Sequence, residues 1–252
     1  MHVIDSHAHY DHKRFDADRD TLLQSMPSRG VDMIINVGCS LPSSKASVKL
    51  AEAYSYVYAT VGVHPHEAKA LTDAGLDEIK HLCTHEKVVA LGEIGLDFHY
   101  DFSPRDVQRH WFMRQLQLAD EMDMPVAIHS REANEEVFNM IDKSPVRNGV
   151  LHSFSGDAQL AAAYVNLGFY IGISGVITFD KTGNLQAVVA AIPLEKMLLE
   201  TDAPYLTPAP FRGKRNESQY LLYVAETIAK IKGVDAEIVC KQTSQNVKNL
   251  FF

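Results

Sequence analysis

Two histidines separated by one residue, His7 and His9, follow a short apolar run near the start of the chain. In an extended strand, residues i and i+2 project from the same face, so both imidazoles point the same way. Such a pair can bind a metal ion, although accidental pairs are common in a chain with 12 histidines. Taken alone, the pair leaves open both a metal site and two unrelated packing residues.

Four further apolar runs end in a side chain that can bind a cation, namely Glu93, His129, His152 and Asp202. Imidazoles and carboxylates without a thiolate are typical of a catalytic divalent site. Six candidate ligands exceed the needs of one tetrahedral ion, so the set favours two ions bridged by a carboxylate. In the alternative interpretation, the carboxylates cap helices and the histidines pack in the core. That arrangement would bury charge without a counter-ion, at a high desolvation cost.

Short apolar runs alternate with helical patterns along the whole chain. The predicted strands are Val3–Asp5, Val31–Val37, Val57–Val63, Val88–Ile94, Pro125–His129, Gly149–His152, Phe169–Ile173 and Met197–Thr201. Predicted helices include Pro104–Met122, Asp157–Leu167, Glu217–Lys232 and Asp235–Leu250. This alternation indicates parallel strand–helix–strand units.

About eight such units in about 250 residues is what a closed (β/α)8 TIM barrel requires. The alternative is an open doubly wound sheet, but the glycine-rich phosphate turn expected after its first strand is missing. The sequence therefore predicts one α/β domain over residues 1–252, a TIM barrel with an additional C-terminal helix. Because barrel enzymes place their sites at the carboxyl ends of the strands, all six candidate ligands are expected to converge there.

Charge and composition restrict the partners. The chain of 252 residues carries 24 basic and 32 acidic residues, for a net charge of −8. Proteins that coat long nucleic acids depend on excess Lys and Arg, so this class is excluded. A local phosphate pocket remains possible.

Cysteine usage and the N-terminus bear on location. Cys39, Cys83 and Cys240 form no C-x-x-C pair, which argues against a disulfide framework and a thiolate zinc site. The N-terminus lacks the basic start and apolar stretch of a signal peptide, and no run approaches the roughly 20 apolar residues of a membrane span. The sequence predicts a cytoplasmic protein without a membrane association.

Six motifs occur in order over nearly the whole chain. They are Asp5-Ser6-His7-Ala8-His9, Gly62-Val63-His64-Pro65, Gly92-Glu93-Ile94-Gly95-Leu96-Asp97, His129-Ser130-Arg131, His152-Ser153-Phe154-Ser155-Gly156 and Glu200-Thr201-Asp202-Ala203-Pro204-Tyr205-Leu206. Together they resemble the TatD family of metal-dependent DNases, within the amidohydrolase-like superfamily of TIM barrels. The resemblance implies a divalent-metal hydrolase of phosphodiester bonds, usually a 3′-to-5′ exonuclease on DNA or RNA.

The resemblance also assigns ligands by position. His7, His9 and Asp202 would hold one ion, His129 and His152 the other, and Glu93 would bridge them. The ions could be Mg²⁺, Mn²⁺ or Zn²⁺, since carboxylates suit harder ions and imidazoles suit zinc. Two positions depart from the family pattern: Ser153 replaces a common Cys, and Ser218 replaces a common Pro, which puts the rigidity of its loop in doubt.

Three residues receive catalytic or substrate roles. Asp202 has a second oxygen free to position or deprotonate the attacking water. His64, at the end of the third strand, is interpreted as a phosphate or leaving-group contact, with a packing role as the alternative. Arg131 could clamp a phosphate through two parallel hydrogen bonds, or form a surface ion pair.

A basic run follows the eighth strand and contains Arg212, Lys214 and Arg215. Because barrels often bind phosphate with the loops after strands seven and eight, these residues are candidate substrate contacts. A solvated surface run is the alternative.

Residues next to the predicted ligands are candidates for orienting them. By the two-residue strand period, Asp5 and Glu200 lie one layer below His7 and Asp202 and could hold ligating imidazoles, as could Asp97. The histidines taken as surface or packing residues are His2, His12, His66, His81, His85 and His110. The aromatic loop residues Phe98, Tyr100 and Phe102 are expected to pack as a lid, with stacking on unpaired bases as the alternative.

The expected substrate is the end of a single strand or a short oligonucleotide, and nothing indicates an obligate protein partner. The alternative chemistry is hydrolysis of a carbonyl compound such as an amide, lactone or aminoacyl ester, because the same ions polarise a carbonyl. A third hypothesis is a binding or scaffold protein whose metals are inert. It predicts that Glu93→Gln or Asp202→Asn leaves function intact.

Overall fold

A computed structural model describes all 252 residues and contains eight parallel strands in the order in which they occur in the chain. The strands are β1 (Val3–Ala8), β2 (Val31–Val37), β3 (Val57–Val61), β4 (Val88–Asp97), β5 (Val126–Arg131), β6 (Gly149–Leu151), β7 (Tyr170–Ile173) and β8 (Met197–Leu199). A bridge between Ala8 and Ala203 joins the first strand to the segment after the last. The sheet is thus a nearly closed barrel, which confirms the predicted fold.

A helix follows every strand. The helices are α1 (Arg19–Ser25), α2 (Leu41–Ala53), α3 (Asp73–Leu82), α4 (Arg105–Glu121), α5 (Asn134–Lys143), α6 (Ala158–Asn166), α7 (Asn184–Ala191), α8 (Leu221–Lys232) and α9 (Ala236–Phe251). The ninth is the additional C-terminal helix that the sequence predicts. The side chain of Asp157 accepts a hydrogen bond from the Leu160 amide and caps α6, as expected of an aspartate at that position.

Two apolar clusters account for the packing. The larger one lies between the barrel wall and the surrounding helices and includes Ile34, Leu91 and Val188. In the smaller one, Leu250 and Phe251 of α9 pack with apolar residues of the strands. Helix α9 thereby fixes one end of the barrel and leaves the carboxyl ends of the strands open for a site.

Three strands extend beyond their predicted ends, β1 through Ala8, β4 through Asp97 and β5 through Arg131. The predictions stop at Asp5, Ile94 and His129, whereas pairing with the neighbouring strand continues past them: Ala8 pairs with Asn36, and Asp97 with Arg131. His7 and Glu93 therefore lie on rigid strand backbone and not in loops.

No helix has both the length and the apolar composition needed to cross a bilayer. The longest, α4, has 17 residues and carries charges along its length.

Candidate metal centre

The six predicted ligands converge at the carboxyl ends of the strands. A cavity of about 800 Å³ is lined by His9, Glu93, His129, His152 and Asp202, and His7 is buried beside His9. These side chains come from five different strands or the segments directly after them. The barrel therefore assembles a cluster of four imidazoles and two carboxylates from residues far apart in the chain.

His7, His9 and Asp202 form the first group. Nε2 of His9 lies 3.2 Å from Nε2 of His7 and 3.3 Å from Oδ1 of Asp202. Nδ1 of His9 is 2.9 Å from the carbonyl oxygen of Val37, which can only accept, so Nδ1 carries the proton. The lone pair on Nε2 of neutral His9 then faces the carboxylate, an arrangement that requires a cation or a proton between them.

His129 and Glu93 form a second contact of this kind. Nε2 of His129 is 3.2 Å from Oδ2 of Asp97, and in the tautomer that donates its proton there the lone pair lies on Nδ1. That Nδ1 lies only 2.9 Å from Oε1 of Glu93. Asp97 thus orients a predicted ligand, as expected.

Glu93 lies between two sets of histidines. Its Oε2 is 3.6 Å from His7 and 3.8 Å from His9, whereas its Oε1 faces His129 at 2.9 Å and His152 at 3.9 Å. One carboxylate therefore presents each of its oxygens to a different pair of imidazoles.

Glu200 lies behind His152. Its Oε1 is 3.0 Å from Nδ1 of His152, although off the line of an ideal hydrogen bond, and Nε2 of His152 faces the cluster. A Cβ at Gly172 would lie 2.3 Å from Oε2 of Glu200, so only glycine leaves room for this carboxylate. Glu200 therefore orients an imidazole, as predicted.

Replacing Glu200 with glutamine is expected to weaken divalent-metal affinity about 10- to 100-fold, because His152 loses the negative charge that orients it and raises its basicity. Titration of the metal-free protein with Mn²⁺ by calorimetry measures this. Glu195→Gln, an exposed position in the turn before β8, is the matched control and should bind as the unmodified protein does. Unchanged affinity in Glu200→Gln would contradict the assigned role.

The donor set fits divalent cations. Ligand atoms about 2.0–2.2 Å from one ion are about 3 Å apart, close to the 3.2 Å, 3.3 Å and 2.9 Å contacts above. The rings of His7 and His152 stack with centroids 3.5 Å apart, so protonating both would place two positive charges in contact. Bound cations would satisfy these facing lone pairs without protonating the imidazoles.

Neighbouring charges shift the pKa values of the clustered side chains. Burial alone would lower the pKa of His152, but the Glu200 carboxylate more than offsets it and raises the pKa to about 9. Burial opposes charge on His9 as well, yet its pKa is raised by Cys39 and Asp202 beside it. For Glu93, burial favours the neutral form, but the histidines around it hold its pKa well below the usual range.

Metal affinity is therefore expected to rise with pH. Imidazolium cannot bind a cation, and since the pKa of His152 is about 9, protons compete with the metal up to about pH 9. Each displaced proton should make the apparent affinity about tenfold stronger per pH unit. Calorimetry in two buffers with different ionisation enthalpies counts the released protons. A pH-independent affinity between about pH 6 and about pH 9 would contradict this.

His64 borders the cluster in a different protonation arrangement. Its Nδ1 accepts a hydrogen bond from the amide of His66 at 3.1 Å, so the proton resides on Nε2, 3.7 Å from Oε1 of Glu93. Burial, reinforced by neighbouring His129, lowers the pKa of His64 well below its usual value. Neutral His64 therefore directs an N–H donor into the cavity and not a lone pair.

Asp5 does not orient an imidazole ring, and that prediction is wrong. Its carboxylate accepts hydrogen bonds from the hydroxyls of Thr201 and Ser218, both at 2.6 Å. The register between β1 and β2 is irregular from Asp5 to Ala8, so the two-residue period that would align Asp5 with His7 is broken. Ser218 also donates its amide to the Tyr10 hydroxyl, which anchors the loop that lacks the usual proline.

The basic run after β8 does not reach the cavity. Arg215 pairs with Asp18 and Glu217, and Arg212 stacks on Phe179 with its guanidinium 3.8 Å from the ring centroid. Lys214 lies beside Phe211. Of the four predicted substrate contacts, only Arg131 lines the cavity. The others lie elsewhere because local carboxylates and aromatic rings already bind them.

Two residues that sequence reasoning did not assign also line the cavity. Nε2 of His66 lies 2.9 Å from Oδ2 of Asp97, and its ring packs against Tyr100 and Phe102, so this predicted surface or packing residue is a packing residue that also lines the cavity. The thiol of Cys39 lies 3.6 Å from Oε2 of Glu93, and burial raises its pKa to about 12. The sequence does carry a signal for Cys39, since it follows the carboxyl end of β2, and other strands carry predicted ligands at the same end.

The aromatic loop before α4 divides into a buried and an exposed part. Phe98 is buried, as a lid-packing residue should be. Tyr100 and Phe102 pack against each other and against His66, but they stay 47% and 54% exposed, more than the predicted lid packing implies. Both line the cavity of the metal cluster.

Comparisons with known proteins agree with this geometry. The family model described as TatD related DNase matches residues 4–252. The uncharacterized metal-dependent hydrolase YabD of Bacillus subtilis is 39% identical over 99% of this chain and 98% of its own. The 3′-5′ ssDNA/RNA exonuclease TatD of Escherichia coli K12 is 38% identical over 94% of each chain. A crystal structure of the TatD homolog YJJV from E. coli K12 superposes with a TM-score of 0.93 at 33% identity, covering 99% of this chain and 97% of the other.

Proposed function

Since this chain belongs to the TatD-related DNase family of metal-dependent hydrolases, we propose that it removes nucleotides from the 3′ ends of single-stranded DNA or RNA. The observation that carries the proposal is the position of Glu93, with Oε2 toward His7 and His9 and Oε1 toward His129 and His152. Two divalent ions (Mg²⁺, Mn²⁺ or Zn²⁺) would be held there. His7, His9 and Asp202 would hold one, His129 and His152 would hold the other, and Glu93 would contribute to both sites.

When bound, such ions lower the pKa of water and neutralise charge on the attacking and leaving oxygens of a phosphodiester. Asp202 accepts the proton of the attacking water. The negative charge it needs is supported by the direction of its pKa: burial would raise it, but the hydrogen bond with His9 and the charge of His152 lower it. Its Oδ1 faces His9 and His152, which leaves Oδ2 for the water.

Two further residues act on the phosphate. The Nε2 proton of neutral His64 donates a hydrogen bond to a phosphoryl oxygen or to the leaving oxygen as negative charge develops there. Arg131, which lines the cavity, contacts the phosphate from the rim through its guanidinium.

A strand end suits this site better than a long duplex. The net charge of −8 and the position of Arg212, Lys214 and Arg215 away from the cavity leave no basic groove that could follow a duplex. The E. coli relative is named a 3′-5′ ssDNA/RNA exonuclease, which supports the same substrate.

Chelated protein resupplied with Mg²⁺, Mn²⁺ or Zn²⁺ tests the proposal on four substrates: end-labelled single-stranded DNA, end-labelled RNA, circular single-stranded DNA and a lactone. We expect mononucleotides released from the 3′ end of the linear strands and an intact circle. Internal cuts in the circle without digestion from ends would contradict the exonuclease. Hydrolysis of the lactone alone would favour the carbonyl chemistry.

We propose further that residues 1–252 act as one catalytic unit in the cytoplasm. The family model covers residues 4–252, and all three cysteines are unpaired, which supports a reducing compartment.

A further inference from the structure

An exposed aromatic pair stands at the rim of the metal cavity. Tyr100 and Phe102 lie in the loop between β4 and α4, and their rings are nearly parallel, with an interplanar angle of 7° and centroids 5.1 Å apart. They are 47% and 54% exposed, among the most exposed large apolar side chains of the chain. Adjacent exposed aromatic rings form a flat apolar surface of the kind that marks a binding site.

This pair faces the same space as the predicted ligands. Tyr100, Phe102, Glu93 and Asp202 line one cavity of about 800 Å³. Across it stands Tyr205, 45% exposed, in the segment after β8, the strand opposite β4 in a ring of eight. A molecule whose phosphate lies at the cluster therefore has an aromatic wall within reach of its neighbouring groups.

The pair is fixed to the cluster through one buried carboxylate. Oδ1 of Asp97 accepts a hydrogen bond from the amide of Tyr100 at 3.0 Å, while Oδ2 lies 3.2 Å from Nε2 of His129. The ring of His66 packs edge-on against both aromatic rings, with centroids 5.5 Å from Tyr100 and 4.8 Å from Phe102. Loop and ligand are thus oriented by the same group, so the aromatic rings keep a set position relative to the site.

Arg131 completes the arrangement. Its guanidinium lies 4.8 Å from the centroid of Tyr100, and it lines the same cavity. A cation next to an aromatic surface, at the edge of a phosphate-hydrolysing centre, matches the alternation of phosphate and base along a nucleic acid strand.

We propose that Tyr100 and Phe102 form a stacking platform for an unpaired nucleobase beside the scissile phosphate. This inference rests on the proposed function and specifies its substrate as a strand whose end bases are unstacked. Phe102, the more exposed ring, receives the base and Tyr100 supports it, while Arg131 contacts the adjacent phosphate. A base inside a duplex already has both faces covered by its neighbours, so the platform accepts a base only where it is unstacked. Because every base has a π-face, the platform tolerates any sequence.

The test compares Phe102→Ala, Phe102→Trp and Phe252→Ala with the unmodified protein on single-stranded oligonucleotides. Phe252 is the matched control, an aromatic residue 62% exposed at the C-terminus that lies outside the cavity. Base stacking lost to alanine corresponds to about a 5- to 150-fold rise in KM, with kcat nearly unchanged. Phe102→Trp should retain a low KM, and Phe252→Ala should not alter it.

A second set of substrates separates stacking from other effects of the variant. Oligonucleotides with a single abasic residue at each of the last three positions remove one base at a time. At one of these positions, the abasic residue should raise the KM of the unmodified protein as much as Phe102→Ala raises it on the intact strand. The KM of Phe102→Ala should not rise further at that position. Equal KM for Phe102→Ala and the unmodified protein, or additive losses at all three positions, would overturn the platform. If the unmodified protein digests no nucleic acid at all, the proposed function fails instead.

Discussion

Replacing Glu93 with glutamine is expected to lower kcat/KM on single-stranded DNA by about 10³-fold or more. The amide removes the negative charge and one of the two acceptor oxygens that face the separate histidine pairs. The remaining imidazoles then lack the anion that links them, so the bound metal per chain should fall as well. Steady-state kinetics and metal analysis of the dialysed protein measure both effects.

Glu86→Gln provides the matched control, because Glu86 is exposed just before the amino end of the same strand, the end of the barrel away from the cluster. It should retain full activity and metal content. Melting temperatures of both variants show whether the fold persists. A Glu93→Gln protein that keeps its metal and its activity would support the scaffold hypothesis, in which bound metals are inert.

Gly95→Ala is expected to destabilise the protein by about 3–5 kcal/mol, a loss of about 10 °C in Tm. Gly95 has φ +145°, and a Cβ built there would lie 1.9 Å from the carbonyl oxygen of His129, its partner residue on β5. The backbone of β4 or β5 must move to relieve that overlap. Since His129 is a predicted ligand, metal affinity should decrease together with stability.

Gly233→Ala separates these two effects. Gly233 also has a positive φ, +67°, but nothing lies within 4 Å of a Cβ at that position. It should cost only about 1–2 kcal/mol of backbone strain and leave metal affinity unchanged. Thermal unfolding of both variants measures the change in stability, and Mn²⁺ titration measures the change in metal affinity. Equal metal affinity for Gly95→Ala and the unmodified protein would show that the β4–β5 contact does not set the position of His129.

The predicted ligands came from a periodic feature of the fold. A parallel barrel brings the carboxyl ends of its strands together, so residues at the ends of apolar runs, such as Glu93 and His152, could be expected to meet. The same rule, applied to the second strand, would have included Cys39. Barrel topology and the convergence of the predicted ligands are thus encoded by local patterns that repeat along the chain.

Features that depend on irregular backbone or on surface partners could not be predicted from these local patterns. The irregular pairing of β1 turned Asp5 toward Thr201 and Ser218, and no residue pattern marks such a shift. Arg215 is predicted to contact phosphate, but it binds Asp18, which is distant in sequence, and Glu217, two residues away. No local pattern indicates this pairing. The exposure of Tyr100 and Phe102 depends on how their loop is anchored at Asp97, which composition does not reveal.

The count and position of bound cations can be measured directly. Crystals of the protein equilibrated with Mn²⁺, with diffraction recorded at the manganese absorption edge, should give two anomalous peaks on either side of the Glu93 carboxylate. One peak should contact His7, His9 and Asp202, and the other His129 and His152. A single peak, or peaks remote from Glu93, would contradict the bridged pair on which the proposed hydrolysis depends.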